Sequence, residues 1–451
     1  TTRYPPQSTI FAAAPCYYCS SCKETVQRML GNAAKSPLQR LLLVVTLLIS
    51  IALQYPQPKL DFEYYTKLAT NYTLIKNSAA NEEATSERGT PLENITIVIT
   101  GPTSGIGQGL SKKLYDLGAT IIAVGRSPTK LEKLKEELGK SEAGSDDNET
   151  NQSLVPIVAD FADLESVASA ADEIKTKFKK IDFLINNAGM HKQNAKTESS
   201  TAQGYDLVFG VNYLSPFLLT EKLLPLLEES TMPNNPRIIQ ISSSMHFTVD
   251  GSSLVPFFSD SSNTVKSSPK ASQPSASTVH NKQSYGASKL AQIYHSRSLQ
   301  RKLQNNKKST GAVQVMSLSP SWVATNIAGA SMKNVLQLFA FDSNGFGIAP
   351  ILYAMFTTNP IAGTEKGDYV TSCSCFQNFK ALELACGWMS YLDHSGFIRQ
   401  KVLATIISLV GLLLQKIFAK VSFGKSSSES FNRDYQNELY EWSKEAVSPW
   451  M

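Results

Sequence analysis

The chain has 451 residues, 42% of them hydrophobic, and 43 Lys and Arg against 38 Asp and Glu give it a formal net charge of +5. This mild charge, without a stripe of alternating basic and aromatic residues, argues against a nucleic-acid-binding protein. Six cysteines do not make a disulfide framework, and the length suits one α/β domain of about 250–280 residues with extensions at both ends.

The N-terminal extension contains an apolar segment. Residues 41–53 carry no charge, and the wider stretch 38–55 is long enough to span a bilayer if the Arg40 side chain extends to the membrane surface. We expect a tail at 1–37, a membrane anchor at 38–55 and a linker at 56–92. A targeting segment that is later removed and an ordinary packed helix are the alternatives to the anchor.

Three cysteines, Cys16, Cys19 and Cys22, precede this segment in a CxxCxxC pattern. They could bind a metal, be acylated or do neither. Because no second cluster of ligands lies nearby, we predict no metal site.

A glycine-rich turn follows the first strong strand signal. Residues 95–99 are mostly β-branched and apolar, as in a buried parallel strand, and the turn from Thr100 to Gly107 leads into a helical pattern that ends near Gly118. Glycines in such a turn let the backbone approach a pyrophosphate at the positive end of the helix. The pattern predicts a dinucleotide site, and a strand–helix turn without a ligand is the alternative.

The second predicted strand, 120–124, ends at Gly125-Arg126-Ser127. A carboxylate near this position would hold the ribose 2′-hydroxyl of NAD, whereas the guanidinium of Arg126 suits a 2′-phosphate. The sequence therefore favours NADP(H). A solvated arginine at the start of the next helix is the alternative.

Tyr285 and Lys289 lie four residues apart in Tyr-Gly-Ala-Ser-Lys. On a helix this spacing places both side chains on one face, and a nearby ammonium favours phenolate over phenol. We therefore expect the pKa of Tyr285 to lie below its usual value and Tyr285 to serve as a proton donor and acceptor.

Together these motifs resemble the short-chain dehydrogenase/reductase family, from about residue 93 to 363. The FGVN…PFLLT segment at 209–220 and the closing Leu439-Tyr440-Glu441-Trp442-Ser443 resemble its retinol-dehydrogenase-like group. Ser321 departs from the family pattern, which has proline–glycine where this chain has Pro320-Ser321, and Ser215 and Pro216 also depart from the group.

The resemblance implies a set of site residues. The implied catalytic residues are Asn212, which holds a water in a proton relay, Ser243, Tyr285 and Lys289. The implied cofactor-binding residues are Thr100, Gly101, Ser104, Gly105, Ile106, Gly107, Arg126, Asp160, Asn187, Ala188, Gly189, Tyr285, Lys289, Pro320 and Thr325. His191 and His246 fall near the same strand ends, where they line the pocket or, as we favour, lie on the surface.

The C-terminal part contains extra segments. A Ser/Pro-rich insert at 250–283 separates Ser243 from Tyr285 and is either a lid over the substrate or a surface loop. A block at 373–425 is predicted to contain an apolar helix, 402–418. Its basic flanks suit a helix at the membrane interface, and an ordinary core helix is the alternative. A C-terminal helix is expected within 426–451.

The predicted fold is an α/β Rossmann-type doubly wound parallel sheet in a single catalytic domain, 93–372, with an N-terminal membrane segment and a helical C-terminal extension. The expected function is NADP(H)-dependent hydride transfer between a lipophilic alcohol and its ketone or aldehyde, retinoid-, steroid- or lipid-like. We expect the protein to associate with the endoplasmic reticulum, a related endomembrane or lipid droplets, and the sequence does not decide on which side of the membrane. We also expect a homodimer. The rival hypothesis is a membrane-anchored scaffold that keeps the nucleotide-binding fold without catalysis.

Overall fold

The centre of the molecule is an eight-stranded sheet with strand order β3-β2-β1-β4-β5-β6-β7-β8. Seven strands run parallel and β8 runs antiparallel to β7. The strands are β1 Thr96–Thr100, β2 Thr120–Gly125, β3 Leu154–Val158, β4 Phe183–Asn186, β5 Arg237–Ile241, β6 Gln314–Ser319, β7 Tyr369–Thr371 and β8 Ser422–Gly424. The order reverses direction at β1, so the predicted doubly wound parallel sheet is confirmed.

The computed structural model describes residues 59–74, 90–139, 153–191, 200–258, 284–305, 313–320, 323, 342–343, 345–357, 369–371, 422–424 and 426–451. All of them belong to one compact unit, Gln57–Met451. The predicted anchor at 38–55, the CxxCxxC segment and the apolar helix at 402–418 lie outside the described residues. Within the described ranges, no helix is both long and apolar enough to cross a membrane.

Eight helices of eight or more residues are described. They are α1 Phe62–Leu74, α2 Gly105–Asp116, α3 Pro128–Gly139, α4 Leu164–Lys177, α5 Ser215–Glu228, α6 Ser284–Asn305, α7 Ala349–Phe356 and α8 Arg433–Val447. A helical turn, Leu207–Phe209, and a π-helical turn, Gly210–Leu214, lead into α5.

The alternation of side chains along the strands divides the core into two layers. Val98, Leu184 and Ile238 face one side of the sheet, where they pack with residues of α4, α5, α6 and α8. Ile97 and Ile185 face the other side, with residues of α1, α2, α3 and α7. Because each strand is covered on both faces, all five of these side chains are fully buried, which contributes roughly 1.5–3 kcal/mol each.

The segment predicted to be a linker, 56–92, includes α1. Its buried Tyr72 donates a hydrogen bond to the carbonyl of Asn234, 2.5 Å away, and its ring lies 4.6 Å from the Arg237 guanidinium. The Arg237 guanidinium also donates to the carbonyls of Ala354, Met355 and Thr357 at the end of α7. A buried arginine thus joins α1, β5 and α7, and its partners satisfy the polar groups that burial removes from water.

The C-terminal helix predicted within 426–451 is present as α8. It buries Leu439 and Val447 in the layer that contains α6, and the Tyr213 and Ser443 hydroxyls lie 2.7 Å apart. The buried Lys222 of α5 donates to the carbonyl of Trp450 at 3.0 Å. The C-terminal segment is therefore held against α5 and α6.

Candidate active site

The glycine turn between β1 and α2 has a backbone that side chains would disturb. Gly101 and Gly105 have φ values of +66° and +54°, in the left-handed region. A Cβ on Gly107 would lie 2.1 Å from the Gly101 carbonyl oxygen and 2.5 Å from Asn187 Nδ2. The exposed Ser104 precedes α2 and its side chain makes no capping bond. The Ser104 side chain therefore leaves the first-turn N–H groups of α2 uncapped, as an anion site at a helix N-terminus requires.

Thr100 and Asn187, both predicted to bind the cofactor, hold this turn in place. The Thr100 hydroxyl accepts hydrogen bonds from the backbone N–H groups of Asn187 and Ala188, at 2.9 and 2.8 Å. The Asn187 amide donates to the carbonyls of Thr100 and Gly101, at 2.9 and 3.2 Å. Their polar groups thus tie β1 to the end of β4 and fix the glycine turn for a ligand to approach.

Arg126 and Asp160 lie at the neighbouring strand ends. Gly125 and Val158 are register partners in β2 and β3, and Arg126 is the exposed residue that follows β2. Asp160 is half-buried and its carboxylate accepts a hydrogen bond from the Ala162 N–H at 3.0 Å. The edge beside the glycine turn therefore carries an exposed guanidinium and a carboxylate held by its own loop.

Three of the predicted catalytic side chains come together. Tyr285 and Lys289 are on α6, and Lys289 Nζ lies 5.5 Å from the centre of the Tyr285 ring. The side chain of Ser243, which follows β5, interacts with that of Tyr285. The Lys289 ammonium donates to the Ile241 carbonyl at the end of β5, 2.8 Å away.

Burial sets the protonation of these groups. It raises the pKa of Tyr285 to about 12, although the neighbouring Ser243 side chain acts in the opposite direction. It lowers the pKa of Lys289 to about 7. The expectation that Tyr285 has a lowered pKa is wrong for this structure, because burial disfavours the phenolate and also weakens the charge of the lysine meant to stabilise it.

Asn212, on the π-helical turn, is fully buried beside Gly189. Its side-chain oxygen accepts from the Met190 N–H at 2.7 Å, and its amide donates to the Met190 carbonyl at 2.9 Å and to the Ser288 hydroxyl at 3.0 Å. The side chain thus fixes the loop after β4 and the start of α6. Its main-chain carbonyl accepts a hydrogen bond from another residue of the site.

Gln292 is the donor to that carbonyl, and it was not among the site residues predicted from the sequence. Its amide donates to the Asn212 carbonyl at 2.7 Å, and its side-chain oxygen accepts from Lys289 Nζ at 3.1 Å. The available signal was helical spacing, since Gln292 lies three residues after Lys289 and hence on the same face.

The two histidines differ in position. His191 is exposed, and its ring meets the Tyr285 ring edge-on with centres 4.9 Å apart. His246 is fully buried, so the preference for a surface position is wrong. Its Nδ1 lies 2.5 Å from the Ser243 carbonyl and its Nε2 accepts from the Ser427 N–H at 3.0 Å. Burial lowers the pKa of His246 to about 4, so the neutral ring with its hydrogen on Nδ1 joins the Ser243 loop to the C-terminal segment.

Two further predicted residues follow β6. Pro320 is buried immediately after Ser319, the last residue of that strand. Thr325 lies outside the described residues. All the described site residues therefore lie at or near the carboxyl ends of the parallel strands, where open α/β sheets bind ligands.

Comparisons with known proteins agree with this architecture. Residues 95–255 match the family model for short chain dehydrogenase. Retinol dehydrogenase 14 from Mus musculus is 33% identical over 290 residues, covering 62% of this chain and 73% of that protein. The Homo sapiens protein of the same name is 33% identical over 284 residues, covering 61% and 74%. Dehydrogenase/reductase SDR family member 7B from Mus musculus is 37% identical over 167 residues, covering 37% of this chain and 47%, about half, of that relative.

The nucleotide turn, the parallel sheet and the Ser–Tyr–Lys group define an oxidoreductase that uses a nicotinamide cofactor, NAD or NADP. The chain belongs to the short-chain dehydrogenase/reductase family, within its retinol-dehydrogenase-like group.

Proposed function

We propose that the chain is an NADP(H)-dependent oxidoreductase that interconverts a lipophilic alcohol and its ketone or aldehyde. The observation that carries this proposal is the convergence of Ser243, Tyr285 and Lys289 beside a glycine turn in which position 107 has no room for a Cβ. A protein that only bound nucleotide would not need a tyrosine, a serine and a buried lysine at the open end of the sheet.

The described residues fit a dinucleotide. The glycine turn and the start of α2 would hold the diphosphate, Asp160 the adenine side, and Tyr285 and Lys289 the nicotinamide ribose. When bound, NADPH supplies the hydride that reduces the carbonyl carbon.

The chain's own groups manage the oxygen and its proton. The hydroxyls of Ser243 and Tyr285, whose side chains are neighbours, would both donate to the substrate carbonyl oxygen. Tyr285 then transfers its proton as negative charge develops on that oxygen, and Lys289 in its ammonium form favours the phenolate left behind. Because its pKa lies near 7, Lys289 can also pass a proton onward at neutral pH.

Arg126 supports the choice of NADP(H). It is exposed at the end of β2, next to the edge where the adenine ribose would lie. A planar guanidinium with several donors matches a 2′-phosphate.

The lipophilic substrate is supported by the apolar segments of the sequence and by the similarity to two retinol dehydrogenases. We extend the proposal to a retinoid-, steroid- or lipid-like substrate, a membrane-associated location at the endoplasmic reticulum, a related endomembrane or lipid droplets, and a homodimer.

Replacement of one hydroxyl group tests the proposal. Tyr285→Phe removes the proton donor, so turnover of a carbonyl probe such as all-trans-retinal with NADPH should fall by about a thousandfold or more, while NADPH binding stays within about twofold. Tyr294→Phe is the matched control, because Tyr294 lies on the same helix and its hydroxyl donates to the Glu429 carbonyl at 2.9 Å instead.

Full turnover by purified Tyr285→Phe would refute the catalytic assignment. Wild-type protein that binds NADPH yet reduces none of a panel of retinoid, steroid and fatty carbonyls would favour the rival scaffold.

A further inference from the structure

Gln292 connects two groups of the candidate active site, the Lys289 ammonium and the main-chain carbonyl of Asn212. Its side-chain oxygen accepts from Lys289 Nζ at 3.1 Å and its amide donates to the Asn212 carbonyl at 2.7 Å. Gln292 is 1% exposed and Lys289 4% exposed, so neither bond competes with bulk water. A glutamine held at both ends of its amide has one orientation.

This bridge limits what Lys289 can do with its three N–H groups. Two of them are used inside the protein, one by the Ile241 carbonyl and one by Gln292. The third N–H group is left to point toward Tyr285, whose ring centre lies 5.5 Å from Nζ. Without Gln292 the ammonium group would keep a single anchor and could rotate or withdraw.

The bridge also supplies charge stabilisation. A buried ammonium is disfavoured unless oxygen atoms accept its hydrogen bonds. The Ile241 carbonyl and the Gln292 amide oxygen are two such acceptors. The removal of one acceptor therefore favours neutral Lys289.

We propose that Gln292 is a positioning residue for proton transfer, which ties Lys289 to the Asn212 carbonyl and keeps its ammonium directed at Tyr285. This proposal rests on the proposed function for its catalytic consequence. The hydrogen-bonded arrangement that it assigns to Lys289 can be tested without any substrate.

The surroundings of Lys289 make the test interpretable. Tyr285 is the titratable side chain that faces its ammonium on α6, and the Ile241 carbonyl and Gln292 are the uncharged acceptors of that ammonium. Ser242 donates to the Lys289 main-chain carbonyl. Burial accounts for the lowered pKa of Lys289. A change in its titration can therefore be assigned to the hydrogen bond that the variant removes.

The test uses the full-length chain carrying lysine labelled with ¹³C at Cε, with the Lys289 signal assigned through Lys289→Met. Gln292→Met conserves volume but removes both polar atoms, so we expect the pKa of Lys289 to fall by about one unit. At a pH above that pKa, the protonated fraction of Lys289 then falls about tenfold. Gln300→Met is the matched control, because the buried Gln300 lies on the same helix and its oxygen accepts from the Val315 N–H at 2.7 Å. It should leave the Lys289 titration unchanged.

A kinetic measurement adds the functional consequence. With NADPH and all-trans-retinal, Gln292→Met should lower kcat about tenfold and shift its pH profile, while the KM for NADPH changes less than about threefold. If Gln292→Met does not fold, Gln292→Asn replaces it, since its amide is one methylene too short to span both partners.

An unchanged Lys289 titration in a folded Gln292 variant overturns the proposal. If wild-type protein reduces none of a panel of retinoid, steroid and fatty carbonyls while the Lys289 titration shifts as expected, the positioning of Lys289 stands and the proposed function fails instead.

Discussion

Lys289→Met tests whether the buried lysine is neutral over much of the alkaline range. Lys289 is 4% exposed, and burial lowers its pKa from 10.5 to about 7. In the unfolded chain the same side chain stays protonated until about pH 10.4. Between pH 7 and 10 the unfolded state therefore binds about one more proton than the folded state, so the free energy of unfolding rises with pH across this window and levels off below it.

The size of the effect follows from proton linkage. One proton corresponds to about 1.4 kcal/mol of unfolding free energy per pH unit, so the wild type should gain about 2 kcal/mol from Lys289 between pH 7.5 and 9. Methionine keeps the apolar stem but does not titrate, so the variant should lack this gain. The upper limit of pH 9 avoids the tyrosines, since burial raises the pKa of Tyr72 and of Tyr285 to about 12 and their ionisation on unfolding opposes the trend.

The assay is urea unfolding of wild type and variant at half-unit steps from pH 7.0 to 9.0, followed by tryptophan fluorescence. Lys222→Met is the matched control, because Lys222 is also buried but its ammonium contacts the Asp172 carboxylate at 3.1 Å and the Trp450 carbonyl. This control should lower the free energy of unfolding by a similar amount at each pH. Equal slopes for wild type and Lys289→Met would refute the reasoning, since Lys289 would then keep its charge in the folded protein.

Two predictions concern the nucleotide. Arg126→Asp should weaken NADPH binding at least tenfold and leave NADH binding within about threefold, as followed by nicotinamide fluorescence, because we propose that the guanidinium contacts only the 2′-phosphate; equal losses for both nucleotides would contradict that role. Gly107→Ala should weaken the binding of both at least tenfold, because its Cβ would lie 2.1 Å from the Gly101 carbonyl oxygen, whereas Gly139→Ala, with nothing within 4 Å, should bind as wild type does. Normal affinity in a folded Gly107→Ala would show that the turn does not hold the nucleotide.

The parts of the structure that local patterns encode could be predicted from the sequence. The β-branched run before the glycine turn forms β1, and the spacing of Tyr285 and Lys289 places them on one helix, α6. These features depend on neighbouring residues, for which strand alternation and helical periodicity are sufficient.

The contacts that organise the site could not be predicted in this way. Gln292 reaches a carbonyl 80 residues earlier in the chain, and His246 accepts from an N–H 181 residues later. Such pairs depend on how helices and loops pack over the sheet, and one sequence gives no spacing rule for them. The burial of His246 could not be predicted for the same reason, since the neighbouring sequence does not indicate that the C-terminal segment covers this side chain.

The pair Tyr285 and Lys289 also shows why the proximity of an ammonium group does not by itself determine the pKa of a tyrosine. An ammonium lowers a phenol pKa only while it is charged, and the same burial that brings Lys289 close to Tyr285 moves its own pKa to about 7. The hydrogen bonds from Lys289 to Ile241 and Gln292 therefore matter because they favour the charged form in a site that disfavours it. Suppose that Lys289→Met removes the pH dependence of the unfolding free energy and that Gln292→Met lowers the pKa of Lys289. These two acceptors then keep the pKa of the lysine near neutral pH. A site with that property can donate and recover a proton at neutral pH, which is what a reversible alcohol–carbonyl interconversion requires of the group behind its tyrosine.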